Sequence, residues 1–216
     1  MTTVTMILET LSLGAIETNC YVLAVQEGAG AVIIDPGAEE RKIRAVLARY
    51  DLHPELVVNT HGHYDHIGCD DKFNVPVAIH KDDVSFLKDP MLNLSGMFSV
   101  PYKTDAEIIP LEDKQVIEQG GITLEALHIP GHTPGGIALL LKSPQNNIVF
   151  TGDTLFCRGI GRSDLDGGDG ALLIRKIKEK LFSLPDNTMV YPGHGPSTTI
   201  GEEKQHNPYF QTRGGG

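Results

Sequence analysis

The feature that most constrains this fold is the segment THGHYDHIG, residues 60–68, which directly follows the apolar run ELVVN. It places His61, His63, Asp65 and His66 within six positions. An apolar run that meets a polar, glycine-containing segment predicts a buried strand ending in a loop. Ligands collect in loops at the carboxyl ends of strands, and one loop rarely completes a metal site. The fold must therefore bring other segments to this loop.

Three later segments repeat the pattern of an apolar strand that ends in a glycine turn with a ligating residue. IPGHTPGG contains His132, FTGDTLF contains Asp153 and YPGHG contains His194. Glycine permits tight turns and a close approach of backbones. Imidazole and carboxylate groups suit zinc, iron or manganese, and a catalytic ion typically keeps three protein ligands. Seven candidates exceed one such site, so we expect two divalent ions, with zinc as the first choice.

Spacing predicts how the seven candidates divide. Residues two apart on an extended segment point to the same side, whereas residues past a bend do not. The first ion would be bound by His61, His63 and His132. The second ion would be bound by Asp65, His66 and His194. Asp153 would bridge the two ions through its two carboxylate oxygens.

Composition limits the class of protein and its partners. The 216 residues include 18 Lys and Arg and 28 Asp and Glu, for a net charge of −10. This charge disfavours binding to nucleic acid or to an anionic membrane. Three cysteines are too few for a disulfide framework, and no segment matches a signal peptide or a membrane span. We therefore expect a cytoplasmic protein with a small-molecule substrate; its oligomeric state is not predicted.

Periodicity predicts two strand-rich halves, each followed by helices. Consecutive strands are expected in 6–37, and a helix is expected over 39–50 because its apolar residues recur at helical spacing. Further helices are predicted at 81–89 and 170–184, and the irregular stretch around 92–101 is a candidate lid over the substrate. Two sheets packed face to face with helices outside would satisfy this order. Residues 1–210 are predicted to form one domain and 211–216 a disordered tail.

Taken in order, HxHxDH, PGHTPG, TGDTLF and PGHG resemble the metallo-β-lactamase superfamily over nearly the whole chain. Within it, GDTLFCRGIGRSDLDGGD and YPGHGPSTT followed by HNPYF are similar to the small bacterial glyoxalase II-like hydrolases. The resemblance implies an α/β fold, the αββα four-layer sandwich, with two mixed β-sheets and helices on the outer faces. It also implies a binuclear site with the same division of ligands.

The activity implied by the resemblance is hydrolysis of a 2-hydroxyacyl thioester, such as S-lactoylglutathione, by a hydroxide that bridges two metal ions. Asp65 would be catalytic, because it would bind metal and orient the water. Arg162 matches the basic residue that contacts the carboxylate of the thiol in glyoxalase II, although a structural salt bridge is an equal alternative. Only 22 residues follow His194, whereas typical glyoxalase II enzymes continue into a helical domain with glutathione contacts. Because of this departure, the identity of the thiol half of the substrate is not predicted.

Other functions remain open at this point. A persulfide dioxygenase with one iron is favoured by the segment GRSDL and disfavoured by the ending GHGPS. A lactonase, a phosphodiesterase and a non-catalytic metal-binding module are further alternatives. Asp35 could orient metal ligands through hydrogen bonds or simply form a turn, and Cys69 is a candidate thiol ligand. The other four histidines are interpreted as ordinary polar residues: His53, His80, His128 and His206.

Overall fold

The computed structural model describes residues 6–98 and 101–211, which form two six-stranded sheets and four α-helices. The first sheet contains, in spatial order, β1 (Ile7–Leu13), β2 (Thr18–Ala24), β3 (Gly30–Ile34), β4 (His53–Val58), β5 (Val77–His80) and β6 (Ile108–Leu111). Its first three strands are antiparallel, and β3 to β6 are parallel. This half-parallel arrangement makes the sheet mixed.

The second sheet is also mixed, because β10 and β13 are parallel while its other neighbours are antiparallel. It contains β7 (Val116–Gln119), β8 (Ile122–His128), β9 (Ile137–Ser143), β10 (Ile148–Gly152), β13 (Met189–Pro192) and β14 (Thr198–Thr199). A short hairpin joins β11 (Leu155–Phe156) to β12 (Gly159–Ile160). The helices are α1 (Glu40–Arg49), α2 (Tyr64–Ile67), α3 (Gly170–Lys176) and α4 (Ile200–His206).

The main core lies between the two sheets. Alternate residues of a strand point to opposite faces, so Tyr21 and Leu23 of β2 face inward toward β8, β9 and β10. The same core takes Leu124 and Leu139 from the second sheet, and Phe150 lies against Tyr21 with ring centroids 5.0 Å apart. Burial of aromatic and branched side chains on both inner faces stabilises the sandwich.

Two outer cores attach the helices. Ile43 of α1 packs on the outer face of the first sheet, and Leu173 of α3 packs on the outer face of the second. All seven residues of β2 are buried, because its inner face meets the opposite sheet and its outer face meets the helical layer. The predicted αββα sandwich with two mixed sheets is therefore confirmed.

Several local predictions differ from the structure. The helix predicted over 81–89 is a 3₁₀ helix that ends at Leu87, and the ring of His80 accepts a hydrogen bond from the backbone of Asp82 at its start. The predicted helix over 170–184 changes from α to π geometry at Ile177. Strand β6 was not predicted, because Pro110 interrupts its pattern; proline is tolerated there since β6 lies at the sheet edge.

Two predictions reach beyond the described residues. The candidate lid at 92–101 includes residues 99 and 100, and the predicted tail includes 212–216, all of which lie outside them. Between residues 6 and 211, excepting those two, no helix has both the length and the apolar character needed to cross a membrane.

Candidate metal centre

The seven predicted ligands converge at one end of the sandwich. His61 and His63 follow β4, and His63 is still extended where α2 begins, so Asp65 and His66 lie on the first turn of that helix. His132 follows β8, while Asp153 and His194 follow the parallel strands β10 and β13. The site is thus built where strands of both sheets end.

The first group of donors contains only imidazoles: His61, His63 and His132. The Nε2 atom of His132 lies 3.0 Å from Nδ1 of His63 and 3.3 Å from Nε2 of His61. All three side chains are buried. Nitrogen ligands about 2.0–2.1 Å from a tetrahedral ion lie about 3.3–3.4 Å apart, so these spacings suit one ion.

The second group of donors contains a carboxylate and two imidazoles: Asp65, His66 and His194. The Oδ2 atom of Asp65 lies 3.3 Å from Nε2 of His66 and 3.3 Å from Nε2 of His194. The Thr18 hydroxyl donates to the same oxygen at 2.9 Å, which fixes the rotamer of the carboxylate. These atoms surround a second space that one ion could fill.

Asp153 lies between the two groups and directs one oxygen to each. Its Oδ2 lies 3.6 Å from Nε2 of His132, in the first group. Its Oδ1 lies 3.4 Å from Nε2 of His66 and 3.7 Å from Nε2 of His194, in the second group. A single carboxylate can therefore contact ions in both spaces.

Neighbouring acceptors set the tautomer of the donor histidines. Nδ1 of His132 donates to the carbonyl of Arg162 at 2.7 Å, and Nδ1 of His194 donates to the carbonyl of Ile16 at 3.1 Å. When Nδ1 carries the proton, the Nε2 lone pair is free, and such partners are typical of metal-ligating histidines. Both Nε2 atoms point into the site.

Asp35 organises two more ligands. Its Oδ2 accepts from Nδ1 of His66 at 2.9 Å and from the Thr60 hydroxyl at 2.6 Å, while its Oδ1 accepts from the Thr60 amide at 2.8 Å. Because the Thr60 hydroxyl donates to Asp35, its oxygen accepts from Nδ1 of His61, 3.2 Å away. Both roles considered for Asp35 are present: its side chain orients ligands, and its left-handed backbone (φ 52°) lies in a turn whose Gly37 amide donates to the Asp35 carbonyl at 2.8 Å.

The donor atoms fit a cation better than they fit one another. Nε2 of His61 and Nε2 of His132 direct lone pairs at each other across 3.3 Å, which is repulsive without a positive charge between them. Nε2 of His66 and Oδ1 of Asp153 are buried without a hydrogen-bond partner. Buried polar atoms normally find partners, so the residues present fit divalent metal ions.

Electrostatics differ between the two groups. Burial, followed by the charges of His66 and His132, holds the pKa of His61 well below its usual value, and burial and His132 lower the pKa of His63 to about 3. Burial also acts to lower the pKa of His66, but the carboxylates of Asp65 and Asp153 outweigh it and raise that pKa. His61 and His63 therefore favour the neutral form with a free nitrogen lone pair, while the carboxylates of the second group attract positive charge.

Asp83 connects two ligand loops and was not identified from the sequence. Its Oδ2 accepts from the Gly62 amide at 3.0 Å and from the Thr133 hydroxyl at 2.7 Å, and its Oδ1 accepts from the Gly135 amide at 2.6 Å. Gly62 lies between two ligands of the first group, and Thr133 follows the third. One buried carboxylate thus holds the two loops of that group together.

β2 supports the loop that carries His194. Nδ2 of Asn19 donates to the carbonyls of Pro192 and Gly195 at 3.0 and 2.9 Å. A Cβ atom on Gly193 would lie 2.2 Å from Oδ1 of Asp153, so only glycine fits there. The glycine was recognised in the sequence, whereas Asn19 carries no local signal of this role.

The backbone of Arg162 lies beside the first donor group, but its side chain pairs with Asp164. Its guanidinium donates to both oxygens of Asp164, at 2.8 and 2.9 Å, and both side chains are exposed. Its contribution to the donors is the backbone carbonyl that orients His132. The proposed contact with a thiol's carboxylate stays a prediction.

Other candidate ligands lie apart from the seven. Cys69 is buried in the outer apolar core and joins none of the metal-compatible groups in the described residues. His80, Asp82 and His128 do lie near one another, and the two rings stack with centroids 3.8 Å apart. Nε2 of His128 contacts the Pro134 carbonyl at 2.9 Å, and parallel rings do not converge on one ion, so the interpretation as ordinary polar residues is retained.

Comparison with known proteins places this geometry in a family. The family model for the metallo-beta-lactamase superfamily matches residues 13–194. An uncharacterised protein of Mycobacterium tuberculosis is 42% identical over 215 residues, covering 92% of this chain and 95% of that protein. The hydroxyacylglutathione hydrolase GloC of Haemophilus influenzae is 34% identical over 213 residues, covering 95% of this chain and 99% of that protein.

Solved structures agree in fold. BLEG-1, a B3 metallo-beta-lactamase, superposes with a TM-score of 0.88 at 38% identity, covering 95% of this chain and 100% of that chain. TTHA1623 in a di-iron-bound form gives a TM-score of 0.79 at 35% identity, with 93% and 99% coverage. ETHE1 from Myxococcus xanthus gives 0.76 at 31% identity, with 94% and 84% coverage.

The family match, the two-sheet sandwich and the His/Asp clusters lead to one conclusion. Divalent metals are implied by the clusters, and metal-dependent hydrolysis is implied by the family. This chain belongs to the metallo-β-lactamase superfamily.

Proposed function

We propose that this protein hydrolyses a 2-hydroxyacyl thioester with two divalent metal ions, one in each donor group. The observation that carries the proposal is the position of Asp153, which directs one oxygen to each group while Oδ1 and the neighbouring Nε2 of His66 have no other partner. A site for one ion would not need a shared carboxylate between two sets of three donors.

The ligands have distinct tasks in this proposal. His61, His63 and His132 would hold one ion, Asp65, His66 and His194 the other, and Asp153 would contact both. When bound, two divalent ions supply Lewis acidity, which lowers the pKa of water toward neutrality and polarises a carbonyl oxygen. Asp65, fixed by the Thr18 hydroxyl, has the position to accept a hydrogen bond from a nucleophilic water. No other general base is required.

A thioester suits this machinery because its leaving group is stable. A thiol has a pKa of about 8.5, so a thiolate departs with little help from a general acid. The likeness to the hydroxyacylglutathione hydrolase GloC supports a 2-hydroxyacyl thioester, such as S-lactoylglutathione, as the substrate class.

The metal is proposed on the chemistry of the donors. Imidazole and carboxylate ligands suit zinc, and also iron and manganese. The likeness to TTHA1623 in its di-iron form supports iron as the alternative to zinc. Metal analysis of protein from a culture with defined metals distinguishes these ions.

The function is tested with a panel of purified substrates. We expect hydrolysis of S-lactoylglutathione or a neutral 2-hydroxyacyl thioester to exceed that of a lactone, a phosphodiester and a β-lactam at equal concentration. Loss of activity with a chelator and its return with metal would complete the evidence. Hydrolysis of none of the thioesters by protein that holds two ions would contradict the proposal.

A second candidate is a persulfide dioxygenase with one iron, favoured by the segment GRSDL, residues 161–165. The likeness to ETHE1 from Myxococcus xanthus is compatible with this alternative. This candidate predicts one iron per chain and oxygen consumption with glutathione persulfide. Two ions per chain and no oxygen consumption would exclude it.

A further inference from the structure

Two clefts border the donor groups, one beside each. The larger, of about 320 Å³, touches His63 of the first group. The smaller, of about 180 Å³, touches Asp65 of the second group. A thioester has a short acyl side and a larger thiol side, so two unequal clefts next to the centre match the two halves of such a substrate.

The larger cleft has an apolar wall. Among the described residues it is lined by His63, Met91, Leu92, Leu94, Met97, Asp164, Leu165 and Asp166. Met91 and Met97 are 66% and 68% exposed, and Phe98 beside them is 60% exposed. Exposed apolar groups that cluster in this way mark ligand grooves, and methionine adapts to varied apolar ligands.

Exposed apolar residues are concentrated at the clefts. Eight large hydrophobic residues are exposed in the described part of the chain: Ile16, Met91, Leu92, Met97, Phe98, Ile109, Val116 and Tyr209. Four of them lie in residues 91–98, and Ile16 lines the smaller cleft. Five of these eight residues therefore line the two clefts or adjoin a residue that does.

Hydrogen bonds attach the apolar segment to the donor loop. The carbonyl of Asn93 accepts from the Tyr64 amide at 2.9 Å, next to His63. The buried side chain of Asn93 donates to the carbonyls of Phe86 and Tyr102 at 2.8 and 3.0 Å. The methionines are therefore presented at the centre by a backbone that is fixed around Asn93.

The polar part of the larger cleft is acidic. Asp164 and Asp166 line it, and no lysine or arginine is among its described lining residues. The nearby guanidinium of Arg162 is already paired with both oxygens of Asp164, which keeps the pKa of that carboxyl at about 2. The charge that remains in the cleft comes from Asp166, so an anionic group entering there would meet repulsion.

We propose that the cleft beside His63 binds the thiol half of the substrate and selects an apolar thiol that is neutral or cationic over an anionic thiol such as glutathione. The short acyl half would lie in the cleft beside Asp65. This inference rests on the proposed thioesterase function, and it adds the chemical class of the thiol.

Kinetics with two matched substrates test the selection. The same 2-hydroxyacyl group is attached to N-acetylcysteamine, which is neutral, or to glutathione, which carries two carboxylates. We expect kcat/KM to be at least about 10-fold higher for the neutral thioester. In the double variant Asp164→Asn with Asp166→Asn, this preference should fall at least threefold, because the acidic rim is removed.

A control variant separates local charge from overall charge. Asp186→Asn with Glu179→Gln also removes two exposed carboxylates; each is paired with a lysine, and neither lines either cleft. The control should leave the preference unchanged. Equal kcat/KM for the two thioesters in the parent protein, or equal effects of the two double variants, would overturn the inference.

Binding without turnover gives an independent measurement. In protein with ¹³C-labelled methionine methyl groups, a thioether of N-acetylcysteamine should shift the signals of Met91 and Met97. S-methylglutathione at the same concentration should shift them much less, and Met189, in β13, serves as the internal reference. Equal shifts with both ligands, or none with the neutral one, would refute the cleft assignment.

Failure of the proposed function and failure of the cleft assignment give different results. If the methionine signals respond to the neutral thioether but no thioester is hydrolysed, the proposed function fails while the assignment of the cleft stands. If thioesters are hydrolysed while the methionine signals stay unchanged, the function stands and the inference about the cleft is wrong.

Discussion

The two donor groups of this protein differ in how the chain holds them. In the first, three buried imidazoles lie on two loops that Asp83 connects through backbone amides and one hydroxyl. In the second, Asp35 and Thr18 bond directly to the ligand side chains of His66 and Asp65. The side chain of His194 is 28% exposed, so the second group is also more open to solvent.

This difference shows that one site can be organised in two ways. The first group depends on the relative position of two loops, whereas the second depends on the orientation of individual side chains. Residues that hydrogen-bond to metal ligands or to the ligand loops tune metal affinity. Substitution of Asp83 should therefore affect the first group. Substitution of Asp35 should affect the second group most, because Asp35 bonds His66 directly and reaches His61 of the first group only through Thr60. Substitution of Asp153 should affect both groups.

The largest effect is expected for Asp153→Asn. The amide has only one acceptor oxygen, so its NH₂ would face one donor group and the shared contact would be lost. We expect activity to fall by about 10²–10³-fold or more, as for the loss of a central electrostatic contact. Metal content measured by mass spectrometry should fall below two ions per chain.

The matched control for this variant is Asp164→Asn, which removes a carboxylate at the edge of the larger cleft but not from the donor groups. It should retain two ions. Two ions and nearly full activity in Asp153→Asn would contradict the assignment of a shared ligand.

Asp35→Asn should have the next largest effect. Asn accepts the left-handed backbone of this position, φ 52°, so the fold is expected to persist. His66 would lose a charged acceptor for Nδ1–H, which typically costs about 10–100-fold in metal affinity or activity. Anomalous diffraction should show that metal occupancy falls mainly in the second group. An equal fall of metal occupancy in both groups would argue against the different support described for the two groups.

Asp83→Asn should produce a smaller loss of activity but a clear loss of stability. One amide oxygen cannot accept all three hydrogen bonds, and each buried group left without a partner costs about 1–3 kcal/mol. Denaturant titration should show a lower free energy of unfolding, and the ion of the first group should exchange faster with isotopically enriched zinc. Faster exchange confined to the second group would contradict the role of Asp83.

Asp70→Asn should leave both groups intact and change stability with pH. Burial raises the pKa of Asp70 well above its usual value, opposed by the hydrogen bond from Asn59. The folded protein therefore retains this proton to higher pH than the unfolded chain, so stability falls as pH rises from about 4 toward the folded pKa.

In Asp70→Asn the side chain at position 70 has no proton to lose. The stability of the variant relative to the parent should therefore increase as pH rises from about 4 toward the folded pKa of Asp70. A gain of about 1 kcal/mol corresponds to about 2–4 °C in Tm for a chain of this size. Thermal unfolding at several pH values measures it. A stability difference that is constant from pH 4 to 8 would show that Asp70 does not titrate as described.

The sequence was most informative where local pattern and tertiary position coincide. The ligand loops follow strongly apolar strands and contain glycines, so both their existence and their place at strand ends could be predicted. The layers of the sandwich followed from alternating and helical periodicity. These features depend on residues that are close together in the chain.

Other features could not be predicted because their partners are distant in sequence. Asp83 contacts residues 21 and 52 positions away, and nothing in KDDVSFLKD indicates this. The helix α4 was missed because only two of its residues are buried, although Thr199 and Glu202 match the spacing of a capping box and the Thr199 side chain caps the helix. Arg162, by contrast, pairs with Asp164 only two residues away, and a structural salt bridge was one of the two roles expected for it.

The most direct test of the central claim is anomalous diffraction from crystals of the metal-loaded protein. Two peaks are expected, one among His61, His63 and His132 and one among Asp65, His66 and His194, with a different oxygen of Asp153 toward each. A single fully occupied peak in the first group, with the Asp153 carboxylate turned from the second group, would contradict the shared-carboxylate account.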